Sequence, residues 1–341
     1  MKIQNDYVNL EIMFPDQNFI LEVRPKNDPG LVFKWLENNL SFIEKSLLDY
    51  CGIVFRGFSF SQEEFQKISD LISTDESLDY TAGIAPREKH STGVYLSTTI
   101  DKRCEIPQHH EMSYFRNWPM KIFFYCAEPS LSGGETTLVS TRTFHKRLDP
   151  AILNTFEKRE VSYVRNYIEG INSSWQKSYD TTDKRVVEDI VRNMGFEFQW
   201  NGEKLKTKNV AQGVAFHPFT KEKVWHNHAH VYNLFCGKQG ELTPTLKMAE
   251  VSFGPEKIKQ LLSLEHTDLP TNTYYGDGSI IEHDIIEEIC EIFSQEKVGF
   301  IWEKGDFMVL DNMLCFHGKN PHEGDERKIL AIMKEKYPSY N

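Results

Sequence analysis

The sequence predicts a mainly β protein with flanking helices, built on a double-stranded β-helix (jelly roll) core with helical insertions. Three observations predict it. Short apolar runs bounded by Gly, Asp and Asn recur at both ends of the chain, as in Gly52–Phe55, Lys121–Cys126 and Phe307–Leu310. Segments with helical spacing lie between and outside these runs. Residues suited to one polar site, His109 and Glu111 on one side and His317 on the other, lie far apart in sequence, so distant strands must meet.

The elements follow in order. Residues 1–25 alternate at Val8, Leu10, Ile12 and at Phe19, Leu21, Val23, and read as an opening hairpin. Leu31, Phe33, Trp35, Leu36, Leu40, Ile43 and Leu47 give residues 30–50 a helical apolar face. Val54–Arg56 reads as a strand, and Ser61 opens a helix with Gln62, Glu63 and Glu64 in its first turn. Residues 94–126 hold a strand carrying His109 and a central apolar strand. Helices are expected at 145–160, 183–194, 254–264 and 280–294, strands within 197–235, and a closing set of strands at 299–336. Length alone allows two domains. Because both halves supply the same site, residues 1–341 are read as a single domain with an internal insertion at roughly 145–295.

Composition narrows the function. Lys and Arg total 39 against 50 Asp and Glu, a formal net charge of −11. Phosphate backbones need a basic face, so nucleic acid is disfavoured as a partner. No run reaches the roughly eighteen consecutive apolar residues of a membrane span, and the N-terminal residues lack the apolar stretch of a signal peptide. The six cysteines are scattered without a Cys-x-x-Cys pair, which reads as reduced thiols in a cytoplasmic protein.

The chemistry concentrates at two places. On a strand, the side chains of His109 and Glu111 share one face, and His110 points away. Gly305-Asp306-Phe307-Met308-Val309-Leu310-Asp311-Asn312 runs from a turn into a buried strand, and Leu314–Phe316 then delivers His317. Two His and one carboxylate on one side of a metal suit Fe(II) and leave the other positions open. Arg327 follows on a further strand, where a guanidinium can grip a carboxylate by two parallel hydrogen bonds. Gly133-Gly134-Glu135-Thr136 is a glycine turn feeding a strand, and Thr136 offers a hydroxyl.

These motifs, in this order, resemble the TauD/TfdA superfamily of Fe(II)/2-oxoglutarate-dependent dioxygenases: His109-x-Glu111, Gly-Gly-Glu-Thr at 133–136, Gly-Asp…Asp-Asn…His-Gly at 305–318, and Arg327. Gly52 to Phe58 is similar to an early Arg-Gly-Phe element of that family. Glu111 in place of the commoner Asp, with Glu-Met-Ser-Tyr at 111–114 and Trp118-Pro119, resembles the branch near clavaminate synthase and the amino-acid hydroxylases of nonribosomal-peptide pathways. The resemblance implies that His109, Glu111 and His317 are the catalytic metal ligands for Fe(II). It implies that Thr136 and Arg327 bind the co-substrate 2-oxoglutarate, and that O2 is consumed. The expected reaction hydroxylates an unactivated C–H bond of an amino acid or amino-acid-derived natural-product intermediate, free or tethered to a carrier protein, as 2-oxoglutarate becomes succinate and CO2. Desaturation or cyclisation with the same cofactors is the alternative, and a non-catalytic jelly-roll binding protein a further one. Retention of the carboxylate at Glu111 argues against halogenation.

Two substrate contacts are expected. Arg87 stands where similar arginines of this branch hold a carboxylate. Asn227 stands where the family places a polar group near the substrate. It lies in Trp225-His226-Asn227-His228-Ala229-His230, whose three alternate histidines on a strand would face one side. A second metal site there, serving a hydrolase, is the competing reading. Lys319 replaces an Arg common among relatives, and His322 an aromatic. Arg103, Glu128 and Asp311 are possible polar anchors.

Overall fold

The computed structural model describes residues 7–26, 32–58, 60–78, 89–91, 93–168, 171–234, 243–324 and 326–338. Its centre is an eight-stranded sheet with the order Val8–Phe14, Phe19–Pro25, Gly52–Phe55, Phe307–Asp311, Pro119–Glu128, Lys328–Lys336, Val94–Leu96, Lys89–Ser91. The opening hairpin forms as the alternation predicts, with Leu10 opposite Val23 and Ile12 opposite Leu21.

Period-two alternation divides the sheet's residues between two cores. Ile122, Phe124, Cys126, Met308, Leu310, Ile329 and Ala331 point to the inner core. Phe123, Tyr125, Phe307, Val309, Leu330 and Ile332 point to the opposite face. That outer face is covered by the helices Val32–Tyr50 and Gln62–Ile72, through Trp35, Leu36, Ile43 and Leu47 from the first and Phe65, Ile68 and Ile72 from the second. The second helix starts where its capping signal lies: Ser61 Oγ accepts from Glu64 N at 3.3 Å, and Glu64 Oε2 accepts from Ser61 N at 2.8 Å.

The inner face is closed by a four-stranded sheet ordered Val298–Phe300, Thr136–Ser140, Cys315–Lys319, Ile106–His109. The two sheets make the jelly roll, and Leu138, Val139 and Phe316 of the smaller one complete the inner core. A buried ion pair ties the early Arg-Gly-Phe element to the late Gly-Asp turn. Arg56 donates to Asp306 through Nε at 3.1 Å and Nη2 at 2.6 Å, and Asp306 also accepts from Glu303 N at 2.7 Å.

Between these halves lies a separate sheet ordered Glu197–Asn201, Lys204–Ala211, Val161–Asn166, Thr271–Tyr275. The helices expected at 145–160, 183–194, 254–264 and 280–294 form as Thr141–Arg147 with Pro150–Arg159, Lys184–Asn193, Pro255–Leu262 and His283–Glu296. Elements not foreseen include the strands Val161–Asn166, Thr271–Tyr275 and Lys89–Ser91 and the helices Trp175–Tyr179 and Pro244–Phe253. The first is buried on both faces along Val161–Arg165, so its sequence carries no in-out alternation to read.

Candidate active site

His109 and His317 stand directly opposite each other on adjacent antiparallel strands, with ring centroids 4.4 Å apart. Their strands approach closely because of Gly318: a Cβ there would lie 2.5 Å from Ile106 O. His109 Nδ1 is 2.8 Å from Pro107 O. A carbonyl only accepts, so Nδ1 carries the proton and Nε2 is left with its lone pair.

The third member departs from the sequence reading. The strand ends at His109, and Glu111 sits in the turn that follows rather than farther along the strand. Its backbone is held from across the molecule instead. Asn312 Oδ1 accepts from Glu111 N at 2.7 Å, while Asn312 Nδ2 donates to Glu111 O at 3.0 Å and to Pro119 O at 2.8 Å. Asn312 is placed by Asp311, whose Oδ1 accepts from Met313 N and Leu314 N and whose Oδ2 accepts from His217 Nε2 at 2.9 Å. The Asp-Asn pair that breaks the strand is therefore a positioning device for Glu111. Glu111 Oε2 lies 3.9 Å from His109 Nε2 and 3.8 Å from His317 Nε2. Among the described residues, His109, Glu111 and His317 form the group placed to hold an ion, with ligand atoms all within 4.8 Å of one another. His110 is outside it. Burial beside other histidines pushes its pKa well down, and its neutral ring stacks on Phe316 at 3.7 Å.

A small cavity of about 70 Å³ adjoins this group, lined by residues including His109, His317, Phe124, Thr136, Lys319 and Arg327. Trp302 Nε1 donates to Thr136 Oγ1 at 2.8 Å, which leaves the Thr136 hydroxyl proton to be given to something else. Arg327 Nε donates to Gly134 O at 3.0 Å. Gly134 has φ +72°, and a Cβ on it would lie 3.1 Å from Arg327 Cδ and 2.6 Å from Ser130 Oγ, so the glycine turn makes room for the arginine. Burial pulls the Arg327 pKa down to about 10, and burial with Arg327 nearby pulls Lys319 down to about 8. Burial and the charges of Lys319 and Arg327 also depress His322 to about 4. No carboxylate lies within ion-pair distance of Arg327 or Lys319 among the described residues. The pocket is cationic.

A larger cavity of about 580 Å³ shares His109 with the small one and includes Glu111 in its wall. Its lining is mostly apolar, with Ile106, Ile171, Val231, Leu234, Met248 and Leu261 among it.

The segment around Asn227 is not a strand. The strand Lys223–Trp225 ends there, and a short helix starts at Ala229. Asn227 causes the change: Nδ2 donates to Gly213 O at 2.6 Å and Oδ1 accepts from Ala229 N at 2.9 Å. Both ends of its amide are occupied and it does not line the larger cavity, so it holds backbone rather than facing substrate. The three histidines separate accordingly. His226 Nδ1 lies 3.2 Å from His110 Nδ1, His228 Nδ1 is 2.6 Å from Ser113 Oγ, and His230 Nε2 donates to Gln108 O at 2.8 Å. They converge on no common point. His228 alone of the three lines the larger cavity. Arg87 lies outside the described residues. Arg103 pairs with Asp101 and Glu128 with Lys304, both near the surface.

Residues 27–333 match the family described as Taurine catabolism dioxygenase TauD, TfdA family. The chain belongs to this family. It is an Fe(II)- and 2-oxoglutarate-dependent oxygenase, and the donor set of two imidazoles and a carboxylate beside a cationic pocket fits both partners. Among curated relatives, the dapdiamide synthesis protein DdaC of Enterobacter agglomerans is 29% identical over 300 residues, covering 87% of this chain and 86% of that one. A clavaminate synthase-like protein of Arabidopsis thaliana is 25% identical over 305 residues, covering 86% and 84%. The fold is shared with PvcB, an Fe, alpha-ketoglutarate dependent oxygenase from an isonitrile synthetic pathway, at TM-score 0.52 and 14% identity over 98% of this chain and 93% of that one. It is also shared with a taurine dioxygenase from Burkholderia xenovorans, at TM-score 0.52 and 13% identity over 96% and 89%.

Proposed function

We propose that this oxygenase hydroxylates an unactivated C–H bond of an amino acid or amino-acid-derived natural-product intermediate. The observation that carries the reading is the position of His109 in the walls of both cavities. A metal held by His109, Glu111 and His317 has the cationic co-substrate pocket on one side and a roomy apolar cavity on the other. The dapdiamide synthesis protein supports an amino-acid-derived substrate.

Iron with 2-oxoglutarate and O2 supplies the oxidising equivalent, as the co-substrate is converted to succinate and CO2. The protein's residues do the rest. His109 presents Nε2 because Pro107 O holds its other nitrogen, and Glu111 is aimed by Asn312. Arg327, with Lys319 beside it, holds the far carboxylate of 2-oxoglutarate, and Thr136 donates its hydroxyl to the same group. Phe124, Ile106 and Ile329 line this pocket with apolar surface that keeps water away. The five described cysteines are free thiols, which suits a reducing cytoplasm. Among the described residues, no helix is long and apolar enough to cross a membrane.

The test is turnover with a panel of amino acids and derivatives, free and carrier-tethered, following succinate and product mass. A gain of one oxygen atom supports hydroxylation. Loss of two hydrogens replaces it with desaturation or cyclisation. Succinate formation that no substrate stimulates, with no oxidised product, refutes the substrate class.

A further inference from the structure

Buried cations reveal where a protein expects an anion, because a desolvated charge is costly unless paired. Among the described residues, five Lys or Arg side chains are buried: Arg56, Lys121, Arg165, Lys319 and Lys334. Arg56 has Asp306, Lys121 has Glu44 and Glu335, and Lys334 has Asp70. Two have no carboxylate among the described residues. Lys319 lies in the co-substrate pocket. Arg165 does not.

Arg165 is 6% exposed and lies on the strand Val161–Asn166, opposite Thr271, which lines the larger cavity with it. Its Nη2 donates to Ser178 Oγ at 3.1 Å, and its guanidinium lies 4.4 Å from the centre of the Tyr167 ring. Its Nε is buried without a partner. The guanidinium is thus held over the Tyr167 ring and by one hydrogen bond, while Nε has no partner among the described residues. Lys177, exposed on the helix Trp175–Tyr179, also lines the cavity and makes no ion pair among the described residues. Among the described residues, the carboxylates in the lining are Glu111, in the metal group, and Asp101, which Arg103 occupies.

We infer that Arg165, assisted by Lys177, holds a free carboxylate of the primary substrate, whose apolar body fills the rest of the 580 Å³ cavity. The planar fork suits a carboxylate gripped by two parallel hydrogen bonds. A substrate tethered to a carrier as a thioester has lost that group, so the inference selects the free acid. It rests on the oxygenase reading of the shared cavity and names the substrate class for it.

The test uses enzyme loaded anaerobically with Fe(II) and 2-oxoglutarate, titrated calorimetrically with decanoate, phenylalanine and N-acetylphenylalanine and with the matching carboxamides. At least one carboxylate is expected to bind tenfold or more tighter than its amide. Arg165→Gln is expected to abolish that preference, and Lys177→Gln to reduce it less. Equal binding of acid and amide, no binding by any of the carboxylates, or an unchanged preference in Arg165→Gln overturns the inference. Tighter binding of decanesulfonate than decanoate overturns the carboxylate assignment. If Arg165→Gln does not fold, the wild-type acid–amide comparison and Arg165→Lys, expected to keep part of the preference, decide. The visible band of the iron–2-oxoglutarate complex is recorded in each sample. A missing band with an intact acid preference refutes the oxygenase reading and leaves the anion site standing.

Discussion

Replacing Asn312 by Ala removes the clamp that holds Glu111 in place without touching any metal ligand. The side chain is fully buried and makes three hydrogen bonds, of 2.7, 3.0 and 2.8 Å, to Glu111 N, Glu111 O and Pro119 O. Truncating one partner of a buried hydrogen bond costs about 1–1.5 kcal/mol or a little more for each bond lost. The loss of stability is therefore about 3–5 kcal/mol, measurable as a shift in the urea midpoint at constant slope. The more telling effect is on metal affinity. With the backbone of Glu111 released, Oε2 no longer stays within reach of both imidazole Nε2 atoms, and Fe(II) affinity is expected to fall roughly 10- to 100-fold, as for other groups that orient metal ligands. Anaerobic Fe(II) titration of the folded variant measures it. Wild-type iron affinity in a folded Asn312→Ala protein would refute the claim that this amide positions Glu111.

Asn227→Ala is the matched control: it loses two buried hydrogen bonds and about 2–3 kcal/mol of stability, yet iron affinity is expected to stay at the wild-type level in the folded protein, and a drop would return the segment to the site. Arg327→Ala is expected to weaken 2-oxoglutarate binding by about 2–4 kcal/mol, roughly 30- to 1000-fold, with Fe(II) binding intact; unaltered saturation by 2-oxoglutarate would place the carboxylate grip elsewhere. Acid should destabilise the fold through its buried histidines. Burial holds His145 and His230 down to about 4 and His226 to about 3, so below pH 6.5 the unfolded chain binds protons that the folded one refuses. Stability is then full above about pH 6.5 and falls as pH drops towards 4, by up to about 1.4 kcal/mol per pH unit for each histidine. Urea midpoints across that range check it, with His145→Gln expected to flatten the slope and an unchanged slope contradicting the assignment.

The grouping of His109, Glu111 and His317, and the residues proposed to hold the co-substrate, were legible because each sits in a short motif tied to a turn or strand. Gly134 clears space for Arg327, and the Asp311-Asn312 break precedes the strand that carries His317. The order of motifs conveyed that distant strands meet, and the pairing of His109 with His317 realises it. What the sequence hid depends on contacts between remote segments. Glu111 was expected on the strand because spacing alone cannot reveal that Asn312 takes over its backbone. Asn227 looked like a group facing substrate because an amide that holds backbone and one that meets a ligand have the same letter. Arg165 had no motif at all. Its signal is a buried guanidinium with no carboxylate partner among the described residues, which only the packed structure exposes.

The most direct test of the account is anaerobic titration of Fe(II) into the metal-free protein, with and without 2-oxoglutarate, followed by visible absorption and repeated with His317→Ala. The account predicts a weak charge-transfer band that requires both iron and 2-oxoglutarate and disappears in the variant. Tight iron binding without the band, or a band that survives the loss of His317, would contradict it.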